Sequence, residues 1–226
     1  MAGSMIEFLS NGRTTSGYLA IPLSGSGPGL IVIQEWWGLV GHITNVAERF
    51  AAEGFVALAP DLYRGERTKS PDQAGKLMMA LDIAGAAKEL RGAAEHLLAL
   101  SAVRPKKVAA VGFCMGGQLA LFAAQEHPDV IAGAVNFYGI HPNVPIEPAR
   151  LERPVLAHFG KRDTSVKEKD ARSLMGSLTS AGKTVDAYFY DAGHAFFNDE
   201  RPEAYDAESA ETAWQRTLDW LGAHLR

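Results

Sequence analysis

Short runs of apolar and β-branched residues alternate along the chain with longer stretches of helical period, the pattern of parallel strands joined by crossover helices. The runs predict strands at 17–21, 30–34, 55–58, 107–111, 131–138, 154–159 and 185–190. Several are apolar throughout, as suits strands covered on both faces, whereas 18–21 fits an antiparallel edge. The helical period predicts helices at 42–53, 73–100, 116–126, 166–181 and 205–224, with Pro128 and Gly182 as stops. No internal repeat or linker divides the series. One α/β domain over residues 6–226 is expected, a mostly parallel, doubly wound sheet with helices on both faces. Met1 to Met5 read as an added leader and are set outside that domain.

Composition narrows the partners. Lys and Arg number 22 against 26 Asp and Glu, a formal charge of -4, so nothing draws the chain to nucleic acid or to an anionic membrane. No apolar run reaches the ~18–20 residues of a span, and the N-terminus lacks the order of a signal peptide. The expectation is a cytoplasmic monomer or small homo-oligomer that takes a small molecule. A single cysteine, Cys114, excludes an internal disulfide and a zinc site of several thiolates. No H-E-x-x-H cluster occurs, so neither metal nor cofactor is expected.

Cys114 alone would read as a buried core thiol. Its neighbours change that reading. Residues 107–118 run KVAAVGFCMGGQ, an apolar strand entering Gly112-Phe113-Cys114-Met115-Gly116 and then a helix. This is the nucleophile-elbow pattern with Cys in place of Ser, and it aims the thiol at a helix N-terminus that favours negative charge. A thiol of reference pKa near 8.5 needs a base, and the base needs an orienting acid. His194 follows the last strand in Asp191-Ala192-Gly193-His194. Asp163 follows the strand at 154–159. His158 is the rival base, but it falls inside a strand; Asp170, Asp186 and Asp191 are weaker acids by position. The chain order Cys114, Asp163, His194 is that of α/β-hydrolases. Glu35-Trp36-Trp37-Gly38 follows the strand at 30–34, where that fold draws one oxyanion N–H; Trp36 and Met115 are the candidate donors.

The set Gln34-Glu35-Trp36-Trp37-Gly38, Pro60-Asp61-Leu62-Tyr63, Gly112-Phe113-Cys114-Met115-Gly116-Gly117, Gly160-x-x-Asp163 and Gly193-His194-Ala195-Phe196 resembles the dienelactone hydrolases, or carboxymethylenebutenolidases. The resemblance runs from about Ile6 to the C-terminus. It implies the α/β-hydrolase fold, a cofactor-independent esterase or lactonase, a catalytic triad of Cys114, Asp163 and His194, and Glu35 holding the resting thiol. Trp37, Tyr63, Arg64 and Phe196 are the expected walls of the substrate pocket. One departure stands out. Arginines that hold a substrate carboxylate in the resembled family align near Pro71 and at Asn198, which cannot form a bidentate clamp; Arg64, Arg67 and Arg201 are the nearby substitutes. A second reading is a thiol-based redox sensor or binding protein on the same fold.

Overall fold

The structure, a computed structural model, describes residues 3–226. Fourteen elements follow in the order β1 (Ser4–Ser10), β2 (Arg13–Ala20), β3 (Gly27–Ile33), α1 (Gly41–Ala52), β4 (Val56–Pro60), α2 (Pro71–Ala80) and α3 (Ile83–Ala99). Then come β5 (Val103–Phe113), α4 (Met115–Glu126), β6 (Ala134–Phe137), β7 (Val155–Gly160), α5 (Glu168–Ser180), β8 (Val185–Tyr190) and α6 (Ala207–Leu225). The strands form one sheet in the order β1-β2-β4-β3-β5-β6-β7-β8. β1 with β2 and β2 with β4 are antiparallel, and every other pair is parallel.

Alternation along the central strands splits the core into two layers, because successive side chains point to opposite faces. Ile31, Ile33, Val56, Leu58, Val155 and Ala157 pack against α3, α4 and α5. Leu30, Val32, Ala57, Val111, Val135 and Leu156 pack against α1 and α6. Helices therefore cover both faces, as expected. Among the described residues no helix is long and apolar enough to cross a membrane.

Three expectations change. The strand at 18–21 is not an edge, since β1 pairs along its outer side from Ser4↔Leu19 to Ser10↔Arg13. Ser4 and Met5, set aside as part of a leader, belong to that strand; Met1 and Ala2 lie outside the described residues. The long helix at 73–100 is two helices. Leu81 and Asp82 turn extended between them, and the Asp82 carboxylate caps α3 by accepting the Gly85 N–H at 3.0 Å. A carboxylate that competes for the backbone ends one helix and starts another.

Strand order places the chemistry. β3 pairs with β4 on one side and with β5 on the other, so the chain reverses its winding between β3 and β5. Loops at the carboxyl ends of the strands flanking such a reversal diverge and leave a crevice. Glu35 leaves β3 there, and Cys114 leaves β5.

Candidate active site

Cys114 sits between β5 and α4 with φ 53° and ψ -123°, a region a side chain occupies only under strain. Surrounding contacts hold it there. Its N–H donates to Phe137 O at 3.0 Å, and its own carbonyl accepts the Gly117 N–H at 2.9 Å. The turn is so tight that a Cβ on Gly112 would lie 1.8 Å from Gly116 O. A Cβ on Gly116 would lie 2.5 Å from Gln34 O, so α4 begins directly against the backbone leaving β3. That closeness brings the start of α4, at Met115, up to the Gln34 to Trp36 segment, with the half-buried thiol at its cap.

Asp163 and His194 meet across adjacent loops. Lys161 N–H donates to Tyr190 O at 2.8 Å and Arg162 N–H to Ala192 O at 3.0 Å, tying the loop after β7 to the loop after β8. Buried Asp163 accepts the Ser165 and Val166 N–H groups on Oδ1, at 2.7 and 2.8 Å. Its Oδ2 faces His194 Nδ1 at 2.7 Å, and His194 Nε2 lies 3.3 Å from Cys114 Sγ. Burial alone would lower the His194 pKa. The Asp163 carboxylate and the Cys114 sulfur outweigh it, and the imidazole is pushed up to about 10.

The rival groups are engaged elsewhere. His158 is fully buried, its ring held by Tyr190 Oη at 2.8 Å and Thr217 Oγ1 at 3.0 Å. Burial, with the Arg216 charge behind it, pushes that imidazole down to about 3, so it is a neutral core group. Asp191 is exposed and pairs with Arg162 at 2.9 Å. Asp170 and Asp186 are exposed on α5 and β8.

The hollow at Cys114 holds about 190 Å³ and is lined by Glu35, Trp36, Trp37, Cys114, Ser165, His194, Ala195 and Arg201. Of the four residues expected to wall it, only Trp37 is among them. Phe196 is fully buried between Tyr138 and Tyr190 and belongs to the core. Arg64 turns away to buried Glu89 at 2.7 Å. With Tyr63 it lines a separate hollow of about 270 Å³ against α2 and α3. The Tyr63 hydroxyl donates to Met115 Sδ at 3.1 Å, and burial, then the nearby Cys114 charge, raises its pKa. Tyr63 thus backs the start of α4 from behind. Arg201 faces the Cys114 hollow while its guanidinium pairs with Glu203 at 2.7 Å and lies 5.5 Å over the Trp37 ring.

Glu35 occupies the hollow without a hydrogen bond to the thiol. Its Oε2 accepts Asn198 Nδ2 at 2.8 Å and its Oε1 accepts the Tyr138 hydroxyl at 3.4 Å. The structure thus places Glu35 with Asn198 and Tyr138, and the Cys114 thiol with His194. Tyr138 was not anticipated from the sequence. It follows β6 with φ 44°, and its ring meets His194 edge to face at 5.3 Å. Among the described residues no group of three or more His, Cys, Asp or Glu side chains is placed to hold a metal ion.

A mostly parallel sheet with covered faces, and a strained elbow residue at the reversal of its strand order, define an α/β-hydrolase-fold protein. Comparison with known proteins is more specific. The model of the dienelactone hydrolase family matches residues 15–225, and the chain belongs to that family. It is 36% identical to Protein usf of Aquifex pyrophilus, over 99% of each chain. It is 32% identical to a Bradyrhizobium protein provisionally named a 2-oxo-3-(5-oxofuran-2-ylidene)propanoate lactonase, over 100% of this chain and 96% of that one. A solved Klebsiella pneumoniae structure that carries a provisional dienelactone hydrolase name superposes with TM-score 0.86 at 29% identity, covering 98% of this chain and 99% of its own. The chain is a hydrolase of this family.

Proposed function

We propose that the protein hydrolyses a small lactone or carboxylic ester without a cofactor, with Cys114 as nucleophile, His194 as base and Asp163 as its orienting acid. The continuous contact from Asp163 through His194 to Cys114 carries this reading. His194 takes the thiol proton, and Asp163 stabilises the imidazolium that results. The thiolate attacks the carbonyl, and the backbone N–H groups of Trp36 and Met115 receive the oxyanion. His194 then gives its proton to the leaving alkoxide. Water, deprotonated by His194, attacks the thioester and releases the acid and free Cys114.

The small hollow, walled by Trp36 and Trp37 beside polar residues, favours a compact substrate. A lactone is also what the name of the Bradyrhizobium relative says of that protein. Pro71 opens α2 and Asn198 is spent on Glu35, so a substrate carboxylate would find Arg201 alone. Uncharged lactones and esters are therefore the preferred class. The test is Cys114→Ala against a panel of small lactones and short-chain esters, with and without a carboxylate. Loss of turnover, together with a thioester-linked acyl-enzyme in the wild type by mass spectrometry, is expected. Turnover retained by Cys114→Ala sinks the assignment, and oxidation to a sulfenic acid without any turnover favours the redox reading.

A further inference from the structure

Glu35 is a carboxylate exposed by only 1% inside the hollow where the thiol has to ionise. We propose that Asn198 and Tyr138 are positioning residues that hold Glu35 off the Cys114 thiol, so that the thiol is paired with His194 before any substrate arrives. The proposal rests on Cys114 being the nucleophile.

The argument begins with what a buried carboxylate requires. Removed from water, it takes whatever donors surround it, and lacking them it draws protons from its neighbours. A thiol S–H is such a donor, and a carboxylate bonded to it opposes thiolate formation. Here both oxygens already have partners, Asn198 Nδ2 at 2.8 Å and the Tyr138 hydroxyl at 3.4 Å. Asn198 is 2% exposed and Tyr138 is fully buried, so neither trades its place with solvent. Asn198 is itself fixed, its Oδ1 accepting the Glu200 N–H at 3.1 Å, which leaves the amide nitrogen to face Glu35.

The other charged or titratable groups near the thiol come from every surrounding loop. His194, from the loop after β8 and backed by Asp163 from the loop after β7, bonds Sγ. Tyr63, from the loop after β4, is committed to Met115. Arg201 lines the hollow but is engaged by Glu203. With the Asn198 amide gone, the thiol and Arg201 are the donors of the hollow left for Glu35 to seek, and the alkylation rate reads whether the thiol is taken.

The protein holds one cysteine, so alkylation of the free enzyme by iodoacetamide reads Cys114 directly and needs no substrate. Alkylation follows the thiolate fraction. Asn198→Leu is expected to slow it about tenfold at pH 7 and to move its pH profile up by about one unit. Adding Glu35→Gln to Asn198→Leu is expected to restore the wild-type rate, which a merely structural loss would not do. Should Asn198→Leu not fold, Tyr138→Phe removes the weaker bond and is expected to slow alkylation about two- to threefold, with the same rescue. An unchanged or faster rate, or a slowing that Glu35→Gln does not repair, overturns the proposal. Failure of the hydrolase reading is separate, since it appears as turnover by Cys114→Ala.

Discussion

Asp163→Asn tests the proposed triad with almost no change of shape. The carboxylate accepts three hydrogen bonds, two on Oδ1 from backbone N–H groups and one on Oδ2 from His194. An asparagine keeps its oxygen on the backbone donors and so turns its NH₂ toward His194 Nδ1. The ring must then carry its one proton on Nε2, pointing at Cys114, and it cannot accept the thiol proton. Losing the charge-assisted bond costs about 1.5–3 kcal/mol, or roughly 10- to 150-fold. The inverted tautomer takes the loss to about 10³–10⁴-fold, the scale of the same change in a serine triad. The pH profile supplies a second check. In the wild type the proton that His194 takes from Cys114 stays on the imidazole until about pH 10, so the alkaline limb of kcat/KM lies near that value. Without the carboxylate, burial is opposed by the sulfur alone, and the alkaline limb moves down toward the ordinary histidine range. The assay is kcat/KM on a small lactone from pH 5 to 10.5, since a lactone alkoxide needs a proton to leave. A loss of less than about tenfold at pH 7.5, or an unmoved alkaline limb, would refute the reasoning.

Two further predictions concern stability. His158 titrates near 3 in the folded chain against about 6.5 unfolded, so below pH 6.5 the unfolded state binds the extra proton and stability falls with falling pH. Between pH 6.5 and 5 this costs the wild type about 2 kcal/mol, at about 1.4 kcal/mol per unit. Urea unfolding of His158→Gln at both pH values should lack that increment, and an identical acid loss would contradict the assignment. Gly112→Ala puts a methyl 1.8 Å from Gly116 O, a backbone atom that cannot yield without moving α4. A loss of about 3 kcal/mol, or about 6–12 °C in Tm, is expected by calorimetry; a Tm within about 2 °C of wild type would show that the elbow is looser than described.

The central strands were legible because each is bounded by turn residues and apolar on both faces, as β3 is over Gly27–Ile33. β1 was not, for a physical reason. Its inward face is Phe8 and Ser10, while apolar Leu9 points out and is 77% exposed, so its polarity does not alternate. The missed signal was Asn11-Gly12. Both residues have positive φ, the two-residue turn that closes a hairpin and would have fixed the Ser10↔Arg13 pairing. The break between α2 and α3 was hidden differently, because alanine and leucine continue the helical period through a point where only the Asp82 carboxylate, by capping, interrupts it.

At the site, the sequence located the residues whose places in the fold are fixed by backbone geometry. The glycines around Cys114 announce a steric need that is local in sequence, and strand ends put Asp163 and His194 on one edge of the sheet. Side-chain partnership across the fold was not readable in that way. The Glu35 carboxylate is bonded by Tyr138, 103 residues away, and by Asn198, 163 residues away. Asn198 drew notice in the sequence only as an arginine that was missing. On the proposed reading, a carboxylate free to bond the thiol would suppress its ionisation, whereas one already held by an amide and a phenol leaves His194 to take the proton. If the proposal holds, the same glutamate at the same position restrains or permits the thiol according to which residue donates to it.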